Sequence, residues 1–257
     1  MESWARSRDF VRNNLSPGPK RPEPRLPRGI RIYAIGDVHG RADLLNQAIA
    51  RIDADAVNSH PTSEIIEVFL GDYIDRGPNS RQVIDLLLTR DRRRRAVFLA
   101  GNHELFLLEF LKNPAVFDHW KRYGALATLR SYGIRVPKGP ELSKQSELAL
   151  ALCKQMPSSH RNFLETLKPF FVCGDFFFVH AGVRPGVPLM EQNLDDLLWI
   201  RKEFLFHDGD YGKIIVHGHT PVLKPDVRGN RINIDTGAYA SGNLTCLRLE
   251  SDEVRFI

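Results

Sequence analysis

Three short apolar runs in the first half of the chain each lead to a glycine, and each glycine is followed at once by carboxylate, amide or imidazole side chains. Ile30-Arg31-Ile32-Tyr33-Ala34-Ile35 runs into Gly36-Asp37-Val38-His39-Gly40. Residues 65–70 run into Gly71-Asp72-Tyr73-Ile74-Asp75-Arg76-Gly77, and residues 96–99 lead through Ala100 to Gly101-Asn102-His103-Glu104. β-Branched runs of this length read as strands. Between them, Leu44, Leu45, Ala48, Ile49 and Ile52, then Val83, Ile84, Leu86, Leu87 and Leu88, fall at helical spacing. A β-α-β-α-β order implies parallel strands joined by crossover helices. Ligands bind such sheets beyond the carboxyl ends of the strands, so the three polar loops are expected to converge.

The rest of the chain divides by pattern. Residues 104–166 read as helical, with breaks at Pro114, Gly133, Pro137–Pro140 and Pro157, and predict a helical insertion or cap. Strand patterns follow at residues 170–173, 176–180, 214–217, 231–235, 244–249 and 254–257. The expected fold class is therefore α/β: a two-sheet β-sandwich flanked by helices, with a helical insertion, over residues 30–257. With 42% hydrophobic and 26% charged residues, the chain can bury a core, which excludes global disorder. No run approaches the ~18 apolar residues of a membrane span, so no membrane partner is expected.

The net charge of +5 is unevenly spread. Residues 1–29 hold seven basic and three acidic residues and five of the sixteen prolines, which predicts a flexible basic tail. That segment has no apolar stretch of the secretory kind. The remaining 29 basic and 28 acidic residues nearly cancel, which argues against nucleic acid as the partner. Arg92–Arg95 reads as a solvated connection and residues 176–178 as a core strand. Cys153, Cys173 and Cys246 show no paired spacing and predict reduced thiols in a cytoplasmic protein.

Later strands add His180, in Val179-His180-Ala181-Gly182, and His219, in His217-Gly218-His219-Thr220. Asp37, His39, Asp72, Asn102, His180 and His219 together form a carboxylate, imidazole and amide donor set without thiolate. Such a set suits two divalent ions of intermediate hardness, manganese, iron or zinc. One carboxylate can bridge two ions ~3.5–4 Å apart, the spacing used for in-line displacement at phosphorus.

The ordered series GDVHG, GDYIDRG, GNHE, VHAG, HGHTP and NIDTGA resembles the calcineurin-like metallophosphoesterases, and within them the short bacterial and phage branch of the phosphoprotein phosphatases. The resemblance implies Asp37 and His39 on one metal ion, Asp72 bridging, and Asn102, His180 and His219 on the second. It implies His103 as the general acid, oriented by Asp75, with Arg76, Asn102 and Arg201 on the substrate phosphate. Two divalent ions, manganese foremost, would hold a hydroxide that attacks a phosphate monoester directly, without a phosphoenzyme.

On this reading the expected activity is that of a protein serine/threonine phosphatase, acting on a phosphoprotein or a phosphorylated small molecule. The alternative is a symmetrical bis(5'-nucleosyl)-tetraphosphatase. Asp75-Arg76 and Glu104 are expected to favour the former. Ala100 departs from the branch, which carries there an arginine that approaches phosphate, and the loss weakens the grip on a monoester. His217 is left outside the ligand set. A binding module without catalysis would have lost a ligand or the acid, and none is lost.

Overall fold

The computed structural model describes residues 23–57, 64–136 and 144–257. Most of the expected tail, His60 and the break at Pro137–Pro140 lie outside the described residues. Strands β1 (Ile30–Ile35), β2 (Glu64–Phe69) and β3 (Arg95–Phe98) pair in parallel, linked by helices Ala42–Val57 and Ser80–Asp91. A second sheet contains β4 (Phe170–Cys173), β5 (Phe176–Val179), β6 (Ile214–His217), β7 (Asp226–Val227) and β8 (Arg231–Asn233), in the order β4-β5-β6-β8-β7. The last strands, β9 (Cys246–Glu250) and β10 (Glu253–Phe256), return antiparallel to the first sheet, whose order becomes β10-β9-β1-β2-β3.

The period of two along each strand sorts side chains into separate layers. Ile32 and Ala34 of β1 meet Phe176 and Phe178 of β5, Val216 and Ile232 in the interior between the sheets. Tyr33 and Ile35 point the other way, into helices. Phe177, Val179 and Ile215 likewise face outward, under Leu197, Ile200 and Phe204. This is the two-sheet α/β sandwich with flanking helices that the sequence predicts. The helical insertion is part of the same body, because Phe110, Phe117, Trp120, Leu129, Leu152 and Phe163 join the layer that holds Tyr33 and Ile35.

The structure departs from expectation in small pieces. The two-residue β7 and the helices Leu194–Trp199, Lys202–Leu205 and Ala238–Ser241 are too short to carry a period. The tail reading does not hold at residues 25–29. Leu26 is buried in the inter-sheet layer, its N–H donates to the Ser251 carbonyl (2.8 Å), and the Arg25 N–H donates to Asp175 Oδ2 (2.9 Å). A single leucine among prolines and arginines gave no sign of this anchoring. No helix among the described residues is long and apolar enough to cross a membrane.

Two contacts position the site. Beyond β3, Leu99 bridges Lys168 in parallel and the Ala100 N–H donates to the Lys168 carbonyl (2.8 Å), so the insertion leaves and re-enters the sheets at one place. At the end of β1, a Cβ on Gly36 would sit 2.4 Å from the Ile234 carbonyl oxygen of the other sheet. Only glycine permits that approach.

Glu67 of β2 is fully buried and takes a two-pronged bond from Arg90 of helix Ser80–Asp91 (Nε to Oε2, 2.7 Å), while Arg90 also bonds Asp53 of helix Ala42–Val57 (2.7 Å). Removing one partner of a buried pair strands the other charge. Glu67→Ala is therefore expected to lower stability by about 3–5 kcal/mol in urea unfolding, and Glu67→Leu combined with Arg90→Met by much less.

Candidate active site

The three polar loops converge as expected. The N–H groups of Val38 and His39 both donate to the Asp72 carbonyl (3.1 and 2.8 Å) and that of Gly40 to the Tyr73 carbonyl (2.8 Å). From the second sheet, the Gly218 N–H donates to the His180 carbonyl (2.8 Å) and the His219 N–H to Asp37 Oδ2 (3.0 Å). Six non-glycine residues among those described have positive φ, and five of them, His39, Asp72, Asp75, Arg76 and His219, belong to this cluster. Left-handed backbone at such residues is costly and persists only where surrounding contacts impose it.

Asp72 lies at the centre. His39 Nδ1 donates to the Ile74 carbonyl (2.9 Å) and His180 Nδ1 to the Leu70 carbonyl (2.9 Å). A carbonyl can only accept, so in each neutral ring Nε2 bears the lone pair. Those two lone pairs face the Asp72 carboxylate, His39 Nε2 at 3.4 Å from Oδ2 and His180 Nε2 at 3.4 Å from Oδ1. Both rings are neutral: burial outweighs Asp72 and pushes His39 down to about 3 and His180 below its ordinary value. Burial and the neighbouring His180 push His219 down to about 2. Burial opposes the Asp72 charge, but the neighbouring His103 holds its carboxyl well below the usual range.

Acceptors facing acceptors in a buried site call for cations between them. Asp37 Oδ1 adds a further sign, being buried with no hydrogen-bond partner among the described residues. Two groups of donor atoms lie within 4.8 Å of one another, His39, Asp72 and His103 in one, Asp72, His180 and His219 in the other, with Asp72 common to both. Asn102 Oδ1 stands 3.0 Å from His180 Nε2. The arrangement fits divalent ions, and Asp37, His39, Asp72, Asn102, His180 and His219 are the residues that could hold them.

His103 differs from the other histidines. Its Nδ1 pairs with Asp75 Oδ2 at 2.7 Å. Burial works against its charge, but Asp72 and Asp75 prevail and raise it above the ordinary imidazole value. Its Nε2 opens toward Arg76 NH2 (3.5 Å) and Asp72 Oδ2 (3.7 Å). Arg76 lies over the Tyr239 ring (4.6 Å), and Arg201 Nε stands 3.1 Å from His219 Nε2. Neither arginine forms an ion pair with a carboxylate among the described residues, so both guanidinium groups are available to an anion.

Two acids carry more than the sequence assigned to them. Glu104 is fully buried and accepts from the N–H groups of Gly101 (3.0 Å), Asp72 (2.9 Å), Tyr73 (2.8 Å) and Ile74 (3.3 Å). Burial and Asp72 push its carboxyl up to about 8 against those donors. Asp235 is buried beside Asp37. Burial pushes it up to about 6, and burial with the charges of Asp235 and Asp72 raises Asp37 well above its ordinary value. Its place at a strand end before Thr236-Gly237 was the available signal. Tyr239, 39% exposed and edge-on to His39 (5.4 Å), had none. His217 lies outside the cluster, its Nδ1 near the Gly218 carbonyl (3.1 Å) and its ring against Phe204.

The sequence pattern of the calcineurin-like phosphoesterases matches residues 30–256. The chain belongs to this family. Its relatives include the asymmetrical bis(5'-nucleosyl)-tetraphosphatase PrpE of Oceanobacillus iheyensis, 30% identical over 243 residues that cover 87% of this chain and 90% of that protein. The PrpE of Bacillus subtilis is 28% identical over 240 residues, 85% of this chain and 91% of that one. Among solved structures, a putative diadenosine tetraphosphatase superposes with a TM-score of 0.59 at 18% identity, covering 90% of this chain and 98% of that one. A cold-active protein-tyrosine phosphatase of Shewanella gives 0.56 at 17% identity, covering 92% and 80%. These structural likenesses establish a shared fold.

Two measurements check the site. Manganese-loaded protein is expected to hold two ions per chain by elemental analysis, and Asp72→Asn fewer. At an ion concentration of about 100 Kd for both sites, loading raises Tm by roughly 10–20 °C, and a chelator reverses the shift. In pH profiles, activity that needs a protonated His103 falls as pH rises through its elevated pKa, and Asp75→Asn moves that fall to lower pH.

Proposed function

We propose that the protein is a dimetal hydrolase of bis(5'-nucleosyl) tetraphosphates, cleaving them asymmetrically. The observation that carries the chemistry is the Asp72 carboxylate faced by imidazole lone pairs, beside two arginines without carboxylate partners among the described residues. The substrate class rests on relatives of nearly full length that bear this name.

When bound, two divalent ions, manganese foremost, supply Lewis acidity and a nucleophilic water of lowered pKa. Asp37, His39, Asp72, Asn102, His180 and His219 hold them. Arg76 and Arg201 bind the oxygens of the phosphoryl group under attack and offset the charge that grows there. His103 holds a proton at Nε2 for the leaving oxygen, while Asp75 fixes the ring through Nδ1. The same parts are available to any phosphoryl group hydrolysed on this scaffold. Asp75 orients the acid and Glu104 ties the loops together, so neither reads the substrate. The sequence expectation that Asp75-Arg76 and Glu104 favour a protein serine/threonine phosphatase gains no support from the contacts of Asp75 and Glu104.

The experiment offers diadenosine tetraphosphate, a phosphoserine peptide and a phosphotyrosine peptide side by side to the manganese-loaded enzyme. The expected result is the highest kcat/KM on the tetraphosphate, with ATP and AMP as products. Two molecules of ADP would indicate the symmetrical reaction instead, and preference for the phosphoserine peptide would overturn the proposal. His103→Asn is expected to lose about 10²–10⁴ in rate on an alkyl phosphate and less on a phosphoanhydride, whose leaving group needs less help from an acid.

A further inference from the structure

Asp75 is fully buried, and the donors that satisfy it come from the helical insertion as well as from His103. Its Oδ2 accepts from Trp120 Nε1 at 2.7 Å, the same length as its contact with His103 Nδ1. Its Oδ1 accepts from the Thr128 hydroxyl, and its own N–H donates to Thr128 Oγ1 (2.9 Å) and Ser80 Oγ (3.1 Å). Trp120 and Thr128 are themselves fully buried. Between them, Gly124 has φ 110, and a Cβ there would sit 2.5 Å from the Arg76 nitrogen. One short stretch of the insertion thus encloses the left-handed Asp75-Arg76 pair from side chain and backbone alike.

We infer that Trp120 and Thr128 are positioning residues for the leaving-group acid: they lock the Asp75 carboxylate in the plane that aims His103 Nε2 at the departing oxygen. An indole buried only for packing would not place its N–H on the one carboxylate oxygen that His103 uses. A carboxylate held by His103 alone can turn about its Cβ–Cγ bond and carry the imidazole with it. Displacement of a reacting group by about 1 Å costs on the order of 10² in rate. The inference rests on the reading of His103 as the acid.

The test compares ethyl phosphate, which needs an acid, with p-nitrophenyl phosphate, whose leaving group does not, in the manganese-loaded full-length protein. Trp120→Phe keeps an aromatic ring without the donor, Thr128→Val removes the hydroxyl, Thr128→Ser restores it, and His103→Asn is the reference. The expected result is a loss of about 10–100-fold in kcat on ethyl phosphate for Trp120→Phe and Thr128→Val, with about 3-fold or less on p-nitrophenyl phosphate. Thr128→Ser stays near the unaltered protein. Equal losses on both substrates, or none, overturn the inference. If His103→Asn itself shows no such difference between substrates, the acid role fails and the inference with it.

Discussion

One buried carboxylate makes the separate loops into a site. Glu104, in the first turn of helix Asn102–Lys112, accepts four backbone N–H groups, three from the loop after β2 and one from the loop after β3. Those N–H groups face inward because Asp72 adopts a left-handed backbone, which no sheet ladder could satisfy. Glu104 replaces the missing partners. The position of Asp72, and with it the two lone pairs that face it, follows from this bond set.

The consequence is an electrostatic arrangement poised for cations. Asp37, Asp72, Asp75, Glu104 and Asp235 are all buried within one cluster, in a folded body whose overall charge is near neutral. Asp75 is compensated by neutral donors and His103. Glu104 is compensated by backbone. Asp37 has the His219 N–H, and Asp72 the His103 N–H with a few imidazoles, too little to balance two carboxylates out of water. A cluster so unevenly compensated binds positive charge in the interior and then, through Arg76 and Arg201 at its mouth, negative charge from outside.

The parts of this design legible in the sequence are those that obey a short-range rule. The apolar runs of β1, β5 and β6, the helical spacing after Gly40 and the polar residues that end each strand all leave a local mark. The parts that escaped depend on distant residues. Leu26 is buried because Ser251 and Asp175 meet its flanks, and Asp235 matters because Gly36 lets one sheet reach the other. Trp120 and Thr128 lie in a helical stretch where a buried indole and a buried hydroxyl look like ordinary core. The substrate class is hard to read from sequence for a related reason. Asp75 and Glu104 are conspicuous in sequence, yet both spend their hydrogen bonds inward.

The meeting of Leu99 and Lys168 gives the insertion an unusual freedom and one restriction. A segment whose two ends are hydrogen-bonded neighbours can be lengthened or trimmed at little cost in loop-closure entropy. Such a segment is the natural place for a scaffold to acquire new substrates over evolutionary time. Here the exchange is not free, because any replacement must still deliver an indole-like donor and a hydroxyl to Asp75. The joint at residue 168 therefore favours diversification of the cap, while the buried contact at its far side limits which caps remain enzymes.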